Sequence, residues 1–241
     1  MSGLRVGVVD GGQLAGAIDS SESVAVVDDL SASDELDLVV LDGENELVEL
    51  ARSRVEIPAL VVGDVEGISS VSSEDLHATL KRIRDVDVPT ERHPIVSVTG
   101  TFGAVHALFD VALMAAEPAR ISEFSVIGDS KHVAQLRADG VVASTPAGSH
   151  GYNQRAGGPV VSTGAEVASV VPIAPFSTSA GHWVLPIDAI ELTVERDEAP
   201  VELLVDGRRE RVIDTSDSIE LSVVGTLETY VVPERVGSHS R

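Results

Sequence analysis

Between Asp139 and Pro159 the chain reads DGVVASTPAGSHGYNQRAGGP, and this stretch concentrates the residue types able to handle a small polar ligand. The apolar run ends at Ala143. Beyond it turn formers outnumber apolar positions, so core packing does not account for the composition. The hydroxyls of Ser144, Thr145 and Ser149 can each donate and accept hydrogen bonds. The glycines among them let backbone approach a ligand closely. Tyr152, one of two tyrosines in the chain, offers a flat ring that can stack on any base. His150 adjoins Ser149, and Asp139 or Asp110 could complete a Ser-His-Asp set. Adjacent residues of a short helix, however, point about 100° apart, and the G-x-S-x-G elbow is absent. Hydrolase chemistry is therefore not expected.

Two further places could meet phosphate or metal. Asp10-Gly11-Gly12-Gln13-Leu14-Ala15-Gly16 follows the first apolar run and could cradle a phosphate at a helix N-terminus, although a tight strand-to-helix turn is the simpler account. Glu44, within Asp42-Gly43-Glu44-Asn45-Glu46, follows an apolar run at the strand end where α/β sheets place ligands. A carboxylate there could accept a hydroxyl proton or hold Mg²⁺ against phosphates. The plain alternative is a solvated acidic loop. The histidines show no HxH or HExxH spacing and the chain has no cysteine, so no resident metal site, disulfide or thiolate nucleophile is expected.

The elements that must position these residues divide into two kinds. Up to about residue 90, short apolar runs (Arg5–Val9, Val24–Val27, Leu38–Leu41, Ala59–Val62) alternate with helical patterns at Glu44–Arg54 and Ser73–Arg84. Ser72 and Asp75 form a capping signal before the second, whose apolar residues are Leu76, Leu80 and Ile83. Uninterrupted apolar strands alternating with helices predict a parallel sheet covered on both faces. After a linker-like stretch, residues 87–94, strands dominate: Ile95–Val98, Leu108–Leu113, Ile121–Ile127, Val141–Ala143, Val167–Ile173, Ile190–Val194, Val201–Val205, Arg209–Ile213 and Ile219–Val223. Gly128-Asp129 and Asp206-Gly207 read as hairpin turns, and Ser149–Ala156 as the one short helix, closed by Gly157. The expected fold is thus an α/β lobe with a Rossmann-like parallel sheet plus an all-β sandwich lobe.

Composition limits the partners. The chain has 241 residues, 43% hydrophobic, and a formal charge of -22, with Lys81 and Lys131 its two lysines. An acidic chain poor in lysine and aromatics is the pattern of halophilic cytoplasmic proteins. At molar salt the Debye length falls to about 3 Å and self-repulsion is screened. With no basic patch to release counterions, binding to nucleic acid is not expected. No apolar run approaches the roughly 20 residues of a membrane span, and the start lacks a signal-peptide pattern.

The residues together resemble the ATP-NAD kinase family. Asp139-Gly140, Ser144-Thr145-Pro146, Gly148-Ser149, Tyr152 and Ala156–Pro159 match its DG, STP-T-GS-TAY and AGGP pattern. Val171–Ile173, Pro175–Ser177 and Leu185-Pro186 follow its later segments, and Asp206-Gly207 its late DG hairpin. The resemblance spans roughly residues 105–225 and implies a lobe of residues 93–225 that binds the dinucleotide. The α/β lobe would be residues 1–92, with 226–241 returning to it. It further implies ATP- and Mg²⁺-dependent phosphorylation of the NAD ribose 2′-hydroxyl to give NADP. Asp110, Asp139, Ser149, His150 and Tyr152 would bind NAD or NADP, Glu44 would be base or metal partner, and the assembly would be a homodimer or homotetramer. Two motifs depart from the family. Its GGDG loop reads Asp42-Gly43-Glu44-Asn45, and its ALNEV reads Ala107-Leu108-Phe109-Asp110-Val111. Those departures admit an alternative: a non-catalytic nucleotide-binding sensor or partner subunit of the same ancestry.

Overall fold

The structure is a computed structural model that describes residues 4–9, 14, 18, 23–26, 36–117, 120–177, 181–215 and 217–232. The chain clusters into two compact units, residues 1–92 with 227–241, and residues 93–226.

The first unit is built on parallel strands: β1 (Arg5–Val9), β2 (Ser23–Val26), β3 (Leu38–Asp42) and β4 (Ala59–Val62). They lie in the order β2-β1-β3-β4. The short β5 (Ser70–Val71) pairs with β4, as does Thr229 from the end of the last strand. Leu38–Leu41 and Ala59–Val62 are buried throughout, which is why they read as continuous apolar runs. Helix α1 (Glu44–Ser53) buries Leu47, Val48, Leu50 and Ala51 and ends on Arg54 in a left-handed cap. Helix α2 (Leu76–Asp85) buries Leu76, Thr79 and Leu80, and Ile83 packs on the same core. It begins three residues later than its capping signal suggests. Ser72 Oγ donates to Asp75 Oδ2 and accepts the Asp75 N–H, but this closes a preceding turn rather than the helix itself. The glycine-rich 10–16 stretch lies outside the described residues, Leu14 excepted.

The second unit is a β-sandwich. One sheet contains β6 (Thr90–Gly100), β7 (Gly103–Ala107), β9 (Ser122–Gly128), β10 (Lys131–Ala138), β14 (Ile190–Arg196) and β17 (Ser218–Tyr230), in the order β10-β9-β14-β17 followed by β6 and β7. The other is the six-stranded sheet β13-β12-β11-β8-β15-β16. Its strands are β8 (Asp110–Ala115), β11 (Gly140–Ser144), β12 (Val167–Ile173), β13 (Trp183–Pro186), β15 (Val201–Val205) and β16 (Arg208–Ile213), and every pairing is antiparallel. Val98, Leu113, Phe124, Val141, Val170, Leu192, Leu203 and Ile219 belong to one buried cluster drawn from both sheets. Alternate residues of the six-stranded sheet face outward, where Ala112, Val142 and Val171 form a smaller buried cluster.

Both expected hairpins occur, the first turning one residue later than the expected Gly128-Asp129, since Gly128 is the last residue of β9 and pairs with Lys131. The β9–β10 turn is Asp129-Ser130 (φ 52 and 57) and the β15–β16 turn is Asp206-Gly207 (φ 50 and 70). Left-handed residue pairs match the twist of the flanking strands. The expected helix over Ser149–Ala156 is two pieces: a 3-10 turn at Gly148–His150 and α3 at Tyr152–Arg155, broken at Gly151.

Candidate functional site

In the second unit, the Ser-Thr-Pro turn grows out of β11 at the end that pairs with the start of β8. Ser144 lies opposite Asp110 on one side and Ser169 on the other. Asp110, Ser144 and Ser169 alternate with core-facing neighbours, so all three belong to the outer face of the sheet. The turn is welded to residues 108–109. Thr145 donates its hydroxyl to Leu108 O (2.6 Å) and its N–H to Phe109 O (2.8 Å). Gly148 lies against the same peptide: a Cβ there would meet Phe109 O at 2.0 Å. Only glycine fits this approach.

Ser149 is fully buried. Its hydroxyl donates to Pro146 O (2.6 Å) and accepts the Val161 N–H (2.9 Å). This hydroxyl is occupied in holding the turn against the segment that follows α3. The buried Asn153 does similar work, its Nδ2 donating to Ser149 O and Pro159 O. What the turn presents outward is His150, half-buried, and Tyr152, 42% exposed. Asp110 is half-buried. The exposed tyrosine on a locked turn can stack on a base, and the Asp110 carboxylate, in register with Ser144 where the turn begins, can accept from a hydroxyl.

Asp139 is at the other end of β11. Five strand residues separate it from the turn, a span of roughly 17 Å. The structure therefore does not bring Asp139 into the same contact shell as Tyr152. The Asp139 backbone is paired with Ile173 and Ala115, and Asp139 does not line the cavity of about 400 Å³ that Arg137, Phe176, Trp183 and Gln135 among others enclose. The Arg137 guanidinium lies 5.7 Å from the Phe176 ring centroid, within cation–π range, and Phe176 is 71% exposed. Phe176 donates its N–H to Arg137 O (2.8 Å), so the two walls are tied together. A cavity lined by a guanidinium and two aromatic residues suits an anionic or aromatic ligand. Sequence reasoning passed over Arg137 and Trp183. The available signal was rarity: Trp183 is the chain's only tryptophan.

In the first unit, Glu44 is exposed and Glu46 half-buried in the first turn of α1, at the carboxyl end of β3. In the order β2-β1-β3-β4 the strand succession reverses between β1 and β3, so the switch point of the sheet lies at the carboxyl ends of these two strands. That is the position of the Asp42–Glu44 loop. The local chemistry does not suit a bare phosphate. Gly43 donates its N–H to Val62 O (2.9 Å), and Glu44 and Glu46 place their own carboxylates at the positive end of the helix. Asp42 and Glu44 fit a divalent cation better, since Mg²⁺ is commonly held by one or two carboxylates with phosphates completing its shell. Among the described residues no group of three or more His, Asp or Glu could hold a metal ion by itself.

The chain is thus a two-lobed protein, an α/β unit with a parallel sheet and a sandwich that carries a locked hydroxyl turn. Residues 108–233 match the family model of the ATP-NAD kinase C-terminal domain, and the chain belongs to the ATP-NAD kinase family. The NAD kinase of Methanothermobacter thermautotrophicus is 27% identical over 90% of this chain and 87% of its own. That of Gemmatimonas aurantiaca is 33% identical over 70% of this chain and 61% of its own. Among solved structures, an NAD kinase from Archaeoglobus fulgidus in complex with ATP superposes with TM-score 0.74 and 24% identity, covering 94% of this chain and 93% of that one. Yeast NADH kinase complexed with NADH gives TM-score 0.76 at 15% identity over 97% of this chain and 85% of that one. Both share the fold.

Proposed function

We propose that the protein binds NAD or NADP through its sandwich unit and carries out the family reaction, ATP-dependent phosphorylation of the NAD ribose 2′-hydroxyl, at a low rate. The observation that carries this reading is the locked turn of residues 144–152, held by its own hydrogen bonds and by those of Thr145 to residues 108–109, which leaves Tyr152 exposed and begins at Ser144, the strand partner of Asp110. Tyr152 would stack on a base. Asp110 would accept from ribose, and Asp139 would meet the other end of the ligand near Arg137 and Phe176. Ser149 would serve the site through the shape of the turn. Glu44 would act as base toward the 2′-hydroxyl or, with Asp42, hold Mg²⁺. A bound Mg²⁺ would neutralise the triphosphate beside these carboxylates, without which charges a few Å apart repel by about 1 kcal/mol or more each.

A second reading, a non-catalytic dinucleotide sensor or partner subunit, is favoured by the first turn of α1, where Glu44 and Glu46 occupy the place a phosphate would need. One assay in molar KCl separates the two, with NAD, Mg²⁺ and ATP supplied and NADP measured. Turnover abolished by Glu44→Gln supports the kinase. No turnover, with saturable NAD(P) binding weakened in Tyr152→Ala by the about 1–3 kcal/mol of a lost base stack, supports the sensor. Absence of both overturns the dinucleotide reading.

The proposed setting is a cytoplasm at high salt and the proposed assembly a homodimer or homotetramer. Among the described residues no helix is long and apolar enough to cross a membrane. Because a charge of -22 is self-repelling, the melting temperature is expected to rise steadily with KCl. A thermal scan that stays flat between dilute and molar KCl would remove the halophilic assignment.

A further inference from the structure

Three successive backbone amides, those of Leu108, Phe109 and Asp110, point at one carboxylate. Asp206 Oδ1 accepts all three, at 3.1, 2.7 and 3.2 Å, and Oδ2 accepts Leu108 again at 3.1 Å. Asp206 in turn donates its own N–H to Asp110 O at 2.9 Å. Consecutive N–H groups converging in this way form an anion nest. Here the anion is a side chain from the β15–β16 hairpin, 96 residues further along the chain.

The choice of residue is informative. Asp206 is the first residue of a two-residue turn, at φ 50, where asparagine would serve the backbone equally well. It is also buried, 9% exposed, and burying a carboxylate is costly unless donors surround it. A neutral amide would avoid that cost, but in place of Oδ2, which also accepts the Leu108 N–H, it would set an NH2 donor against a donor. The carboxylate therefore serves the three amides rather than the turn. On their other side the Leu108 and Phe109 carbonyls accept from Thr145. These peptides are thus gripped at N–H by one hairpin and at C=O by the hydroxyl turn.

We infer that Asp206 is a positioning residue for the dinucleotide site: without touching the ligand, it fixes Asp110 directly and, through Thr145, the turn that presents His150 and Tyr152. The inference rests on the dinucleotide reading above. A purely structural role would stabilise the sandwich as a whole and leave the site no more affected than the rest.

Asp206→Gly tests it, because glycine suits the turn and removes only the acceptors; Asp206→Asn, which keeps one acceptor oxygen, is the milder companion should the glycine variant fold poorly. Asp188→Asn is the control, since the Asp188 carboxylate accepts a backbone N–H from Val223 in the other sheet. In Asp206→Gly the amides of residues 108–110, and those of Ser149 and Gly151 in the turn, are expected to exchange with deuterium roughly tenfold faster or more. Protection elsewhere in the sandwich should hold. The dissociation constants for NAD and NADP are expected to rise roughly tenfold, with Asp206→Asn between this variant and wild type and Asp188→Asn unchanged. Unchanged amides, uniform loss of protection across the sandwich, loosening confined to 108–110, or unaltered binding would each overturn the inference. Should the wild-type protein bind no dinucleotide, the proposed function falls, and the exchange pattern alone decides whether Asp206 positions the turn.

Discussion

Gly148→Ala is expected to remove about 3 kcal/mol of stability or more, and to abolish dinucleotide binding at protein concentrations where wild type saturates. The added methyl would meet Phe109 O at 2.0 Å and Phe109 C at 2.5 Å. Both are backbone atoms of the 109–110 peptide, whose carbonyl accepts from the Thr145 N–H and whose Asp110 N–H donates to Asp206. Neither side can give without breaking hydrogen bonds that are buried. Overpacking alone typically costs about 1–3 kcal/mol, and unmaking a buried hydrogen bond adds about 1–3 kcal/mol. Urea unfolding in molar KCl measures the first loss and titration with NADP the second. A variant as stable as wild type would show that the turn can back away from residue 109, contrary to the rigid unit described above.

The second large effect is on acid stability. His93, fully buried in β6, has its pKa pushed down by burial to about 4 from the usual 6.5. The unfolded chain therefore binds a proton between pH 6.5 and about 4 that the folded chain refuses. Stability from this group is complete above pH 6.5, falls as pH drops through that window, and is level below about 4. A shift of this size corresponds to about 3 kcal/mol at 1.36 kcal/mol per unit. In His93→Gln the difference in unfolding free energy between pH 7 and pH 4 is expected to shrink by about that amount, carboxylate titrations being common to both proteins. Parallel pH profiles for the two proteins would rule His93 out as the source.

Much of this architecture is legible in the sequence because burial writes itself into periodicity. The strands Arg5–Val9, Ala59–Val62, Val167–Ile173 and Val201–Val205 fall where their apolar runs do. The elements missed are those where burial is partial. Strand β10, KHVAQLRA, is exposed or half-exposed at every residue but the last. Strand β13 is a four-residue edge that ends in proline, and β7 is mostly small residues with one buried position. Such strands are fixed by their partners' hydrogen bonds, which leave no signature in side-chain pattern.

The candidate site divides in the same way. Its turn is visible in the sequence because a run of glycines and hydroxyls has no packing explanation. The burial of Ser149, the separation of Asp139 from Tyr152 by the length of β11, and the grip of Asp206 on residues 108–110 depend on which strands become neighbours. A linear reading treats hydroxyls as ligand contacts when their partners lie elsewhere in the fold. Here the buried hydroxyls of Thr145 and Ser149 are spent on backbone partners that hold the turn in place.

The lone tryptophan has an experimental consequence. Trp183 lines the cavity shared with Arg137 and Phe176, so indole emission from the unlabelled protein originates at a single known spot. A molecule entering there would quench or shift that signal. The native chain thus comes with a built-in optical probe of whether that cavity is filled.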